Sequence, residues 1–181
     1  MNTSLAFPTA LTRPRGLALI VTLGKARAEM TELIAELIFS GPLFLVAGSE
    51  WLPAFELTRM LRKRTVEINE ITGRLRAART ATCFRLLDSL RDLPPTGEPI
   101  LVLDFLHTFY DPDIPLETRF RILQSCCREL ERLAFARPLI VTTREMATED
   151  YEKFLPVLRA VTDQLISFTP EPEQVSQPTL F

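Results

Sequence analysis

The chain has 181 residues, 46% of them hydrophobic and 24% charged, with a formal net charge of −2. That is enough for one domain with a sizeable core, and the composition is ordinary for a water-soluble globular protein. The charge balance excludes a surface that binds polyanions over its whole extent, so any nucleic-acid contact must come from a local basic patch.

Residues 1–15, MNTSLAFPTALTRPR, carry two prolines and no clear period, and read as a flexible arm. GLALIVTL (16–23) is a continuous apolar run, the pattern of a strand buried on both faces. Met30, Leu33, Ile34, Leu37 and Ile38 then form one apolar helix face, and Gly41–Pro42 ends that helix. LFLVAG (43–48) is a second buried strand, and from Ala54 a helix runs into the basic cluster Arg59, Arg62, Lys63, Arg64. VEINEI (66–71) reads as a short strand. Arg74, Arg76 and Arg79 add positive charge, and the spacing of Cys83, Leu86, Leu87 and Leu90 predicts a helix.

PPTGEP (94–99) is a loop and ILVLDF (100–105) is the clearest strand in the chain. HTFYDPDIP reads as a loop, Leu116 to Ala134 as a long amphipathic helix, and PLIVTT as another buried strand. Helical segments follow, interrupted at Pro156, and QLISF (164–168) is a last strand. Residues 170–181, PEPEQVSQPTLF, form a polar, proline-rich flexible tail around a core domain of residues 16–169.

Nearly all-apolar strands alternating with helices predict an α/β fold with a mostly parallel sheet covered on both faces. In such folds ligands sit at the carboxyl ends of the strands. Gly24–Lys25, Glu50 and Asp104 fall at such ends. IVTLGKARAEM (20–30) has the outline of a phosphate-binding loop. Such a loop uses glycines to wrap N–H groups around phosphate, a lysine for charge and a hydroxyl for magnesium. Here Gly24 and Lys25 are in place, but Leu19 stands at the first glycine position and Ala26 at the hydroxyl position. With a loop of about two residues, this is expected to be a vestigial nucleotide site. Asp104, after four apolar residues, has the place of a magnesium-holding acid, and Glu50 could polarise a water if a nucleotide were present. These two are the catalytic candidates if the chain is an ATPase. His107 has no evident partner and reads as structural.

The three cysteines, Cys83, Cys126 and Cys127, show no metal-ligand spacing, and adjacent cysteines pair poorly. They read as reduced residues of a cytoplasmic protein with no metal site. The N-terminus lacks a basic-then-apolar leader and no apolar run approaches a membrane span, so no membrane association is expected.

The order of the pieces resembles the RecA/RadA recombinase core, most closely its diverged paralogues. GEPILVLDFLHTFYDPDIP is similar to their Walker B strand and the aromatic segment after it. LETRFRILQSCCRELERLAFARPLIVTTRE is similar to the following helix and strand, which there end in a polar sensor; this chain has Thr142–Thr143–Arg144. PLFLVAGSE resembles the strand ending in the family's catalytic acid, here Glu50. The resemblance covers roughly residues 16–169. It implies a RecA-like three-layer α/β fold, truncated at the C-terminal end because the stretch after Thr143 is short. With the phosphate loop broken, it implies a non-hydrolysing accessory protein of DNA recombination and repair with no cofactor. ATP and magnesium enter only if the degenerate site is active. The alternatives are an ImuA-like translesion mutagenesis accessory protein and a small RecA-like ATPase.

Both tails carry motifs that fit this resemblance. FPTA, with Phe7 and Ala10, matches the F-x-x-A pattern by which these recombinases dock onto a neighbour. QPTLF, with Gln177, Leu180 and Phe181, matches the Q-x-x-L-F pattern of peptides that bind DNA sliding clamps. The implied partners are a RecA-like recombinase or paralogue and a sliding clamp. DNA is a further expected partner, through Arg59, Arg62, Lys63 and Arg64.

Overall fold

The computed structural model describes residues 15–24, 26–49 and 51–169. Six strands form one sheet: β1 (Gly16–Thr22), β2 (Leu43–Ala47), β3 (Leu75–Arg79), β4 (Ile100–Leu103), β5 (Pro138–Arg144) and β6 (Gln164–Phe168). Every pairing is parallel, in the order β3-β2-β4-β5-β1-β6. The central strands are apolar on both faces because helices cover both. Alternate residues of one strand feed opposite cores: Ile100 and Val102 of β4 face one, Leu101 and Leu103 the other.

One face carries α1 (Arg27–Ser40), α2 (Ala54–Arg64) and α3 (Ile68–Gly73), with Leu33, Ile34, Ile38, Leu57, Leu61 and Ile71 packed beneath them. The other carries α4 (Cys83–Asp92), a 3-10 helix (Phe105–Phe109), α5 (Leu116–Ala134) and α6 (Glu149–Arg159). Phe154 of α6 is the aromatic hub there, in edge contact with Phe109 and Phe120. This is the expected three-layer α/β architecture in a RecA-like arrangement, with β5 lying between β1 and β4.

Three local expectations are corrected. The segment read as a strand at VEINEI is helix α3, because Ile68 and Ile71 share a helical face on the α1–α2 core while Val66 is 99% exposed. The strand of this region is LRAAR, β3, bonded on one side to β2; with Arg76, Ala77 and Arg79 exposed it has no buried-strand signature. HTFYDPDIP is not all loop, since His107 and Phe109 belong to the 3-10 helix that buries Phe105, Leu106 and Phe109. Nor does Pro156 interrupt α6. The helix is capped by the Thr148 hydroxyl and anchored by buried Tyr151, Phe154 and Leu158. The carbonyl of Glu152, which loses its donor to the proline ring, lies on an exposed residue and can turn to water.

A candidate cleft at the strand ends

The helix after β1 lies on one face of the sheet and the helix after β5 on the other. The two strands are neighbours, so their carboxyl ends diverge and leave a crevice. A cavity of about 260 Å³ opens there, lined by Thr22, Gly24, Arg27, Ser49, Asp104 and Thr142 among others. Four strands thus bring residues far apart in sequence to one place.

Asp104 is held tightly. Its backbone is left-handed, with φ of 50°, a conformation that Asp adopts more readily than most residues. Its N–H donates to the Thr142 hydroxyl at 3.1 Å, and the Ser49 hydroxyl donates to its carboxylate at 2.9 Å. Gly48 makes the second contact possible. Its N–H donates to the Leu103 carbonyl at 2.8 Å, and a Cβ at Gly48 would lie 2.7 Å from the Asp104 carbonyl oxygen. The ends of β2 and β4 can therefore meet only across a glycine.

On the β1 side, strand and helix are separated by Leu23 to Ala26, four residues rather than about two. The loop is drawn back onto the sheet, with the Thr22 hydroxyl within 3.3 Å of the Gly24 carbonyl and its own carbonyl accepting from Glu145 N–H at 2.8 Å. Gly24 has φ of 108°, which supplies the turn. Among the described residues no side chain caps the N-terminus of α1, where Ala26 is the cap residue. Arg27 stacks over Trp51, 5.8 Å from the ring centre. Arg144 lines the cleft from β5, and His107 is exposed and lines it as well.

Among the described residues, the cleft joins Asp104 to the cationic side chains Arg27 and Arg144, beside two hydroxyls already engaged with Asp104. Its volume falls below the roughly 300 Å³ at which pockets for drug-sized ligands begin. Chemically it can hold a small anion against the arginines; the acid and Ser49 are committed to one another.

Of the residues singled out from sequence, Gly24 and Asp104 meet at this cleft, whereas Lys25 and Glu50 lie outside the described residues. So do Phe7, Ala10, Gln177, Leu180 and Phe181. The basic cluster is divided. All four are exposed, but Arg64 differs in pairing with Glu32 and Glu36 of α1, so it ties two helices together at the surface while Arg59, Arg62 and Lys63 do not. Arg74 pairs with Glu70, and Arg76 pairs with Glu98. Burial raises the thiols of Cys83, Cys126 and Cys127, the last to about 12, which keeps them protonated and unreactive. Among the described residues no group of three His, Cys, Asp or Glu could hold a metal ion, and no helix is long and apolar enough to cross a membrane.

Thr142 and Arg144, noted from sequence only as the counterpart of a strand-end sensor, line the cleft, whereas Gly48, Ser49 and His107 were not singled out as its residues. The available signal was position, since each closely follows or ends an apolar strand run. No protein-family model and no curated protein matches this sequence.

Proposed function

We propose that this chain is a non-hydrolysing RecA-like accessory protein of DNA recombination and repair, acting through contacts with other proteins. The observation that carries the reading is the cleft. It lies where a RecA-like fold would bind nucleotide, yet its loop is four residues long, Ala26 replaces the magnesium hydroxyl, and the cavity is about 260 Å³. A fold that keeps the architecture without the phosphate cradle is suited to recognition by proteins. Phe7 with Ala10 would dock the chain onto a recombinase or paralogue, and Gln177 with Leu180 and Phe181 would dock it onto a sliding clamp.

Calorimetry with ATP at millimolar magnesium is expected to give no binding, and hydrolysis should stay at background. Micromolar affinity lost on Lys25→Ala would overturn the reading. Such binding together with hydrolysis above background would support instead the small ATPase, for which Asp104 stands at the end of β4. The ImuA-like alternative rests on the QPTLF motif and is separated by the partner recovered from cells: a polymerase with the clamp, rather than a recombinase.

A further inference from the structure

Helix α2 carries a stripe that the cleft does not use. Its inward side is set by buried Leu57 and Leu61, and Arg64 lies on that side, bonded to α1. Phe55, Arg59 and Arg62 recur at i, i+4 and i+7, which places them on one face, turned away from Leu57 and Leu61. Phe55 is 76% exposed. Arg59, Arg62 and the adjacent Lys63 are exposed and make no ion pair or side-chain hydrogen bond among the described residues.

An exposed aromatic ring and three unpaired cations, aligned over about 10 Å of helix, constitute two different binding chemistries in one row. Cations alone would suit any phosphate backbone. A bare aromatic face adds affinity only where a base is free to leave its stack, as in a single strand. We propose that the outer face of α2 binds single-stranded nucleic acid without sequence preference, Phe55 stacking on a base while Arg59, Arg62 and Lys63 contact successive phosphates. Glu56 and Glu67 flank the row and hold the affinity down. The chain's net charge of −2 confines the contact to this patch. The inference depends neither on the cleft nor on the tail motifs, so it and the accessory-protein reading fail separately.

The test is fluorescence anisotropy with a labelled 20-nucleotide oligo-dT and the full chain, titrated from 20 to 200 mM salt. Binding is expected on the order of 10 µM at the lowest salt, with log K falling against log salt with a slope of about −2, three contacts at roughly −0.7 each. Arg59→Gln with Arg62→Gln should reduce the slope to about −0.7. Phe55→Ala should weaken binding about tenfold and leave the slope unchanged. Arg64→Gln, which also removes one positive charge, should change neither. All these side chains lie outside the core, so circular dichroism should report folded protein throughout. Absence of oligo-dT binding at 20 mM salt overturns the proposal, as does a loss on Arg64→Gln equal to that of the double variant. Duplex DNA binding as tightly as oligo-dT, with Phe55→Ala silent, overturns the single-strand assignment.

Discussion

Gly48 is the residue on which the geometry of the cleft turns. The strand ends of β2 and β4 approach so closely there that any side chain would meet the Asp104 carbonyl oxygen at 2.7 Å and the Leu103 oxygen at 3.0 Å. Both obstacles are backbone, so they cannot swing aside. Gly48→Ala is expected to cost about 1–3 kcal/mol as an overpacking change and to pull Ser49 away from Asp104. Ser49→Ala removes the hydroxyl contact alone and should cost about 1 kcal/mol, as its site is only partly buried. Thermal melts of the two variants would check this; equal losses would mean that the backbone approach is not what constrains the site. Arg119 shows a different use of charge. It is 7% exposed, pairs with Asp150 at 2.6 Å, donates to the Phe109 carbonyl and lies over the Phe154 ring. One guanidinium thereby joins α5, α6 and the 3-10 helix.

At the scale of elements, α6 carries a proline that its packing overrides. Proline costs about 3 kcal/mol relative to alanine inside a helix, yet α6 continues from Glu149 to Arg159. The buried contacts of Tyr151, Phe154 and Leu158 more than offset that cost, with Thr148 capping the first turn. Pro156→Ala restores the missing donor without disturbing those contacts. It should raise stability by about 1–3 kcal/mol, with roughly 2–4 °C of melting temperature per kcal/mol for a chain of this size. Differential scanning calorimetry would measure it, and a lowered melting temperature would show that the proline fixes the helix direction onto the core. Element β3 poses the opposite problem, a strand with little apolar content. It exists because Leu75 to Arg79 find register with Leu43 to Ala47 of β2. Its other edge has no strand partner among the described residues, and Arg76 and Arg79 along it discourage indiscriminate edge pairing.

The whole molecule is organised by the reversal of its winding. From β1 the chain crosses over the α1 face to β2 and β3, then returns over the α5 face through β4 and β5 to β6. That reversal makes the cleft between β1 and β5. The proposed partner contacts are placed instead in the two terminal segments, and they are expected to separate cleanly from folding. A pull-down with the source organism's sliding clamp should retain the full chain and lose a chain ending at Ser176. Affinity should be on the order of micromolar, because a short peptide buries little area and loses entropy on ordering. Phe7→Glu should leave clamp binding intact and remove a recombinase partner. Equal retention of the full and shortened chains would return Leu180 and Phe181 to a purely structural role.

The succession of apolar runs and helical faces was enough to determine an α/β protein with a parallel sheet. Burial on both faces leaves so few polar positions in β1, β2, β4 and β5 that the strands announce themselves. The end of β4 was legible too, because a carboxylate after four apolar residues has nowhere to go but out of the sheet. The fate of individual charges was decided only by the tertiary structure. Arg59, Arg62, Lys63 and Arg64 are one cluster in sequence, yet a helix turns neighbouring residues about 100° apart, and only Arg64 met the two glutamates of α1. The place of the cleft, at the strand ends by Gly24 and Asp104, was legible, but the contacts that shape it were not. Gly48 looks like any residue after a strand until β2 and β4 are placed side by side, and Thr142 is one more strand residue until the Asp104 N–H turns to it. Local pattern fixes which residues are buried; which of them touch depends on strand order, and strand order is set by the packing of the entire chain.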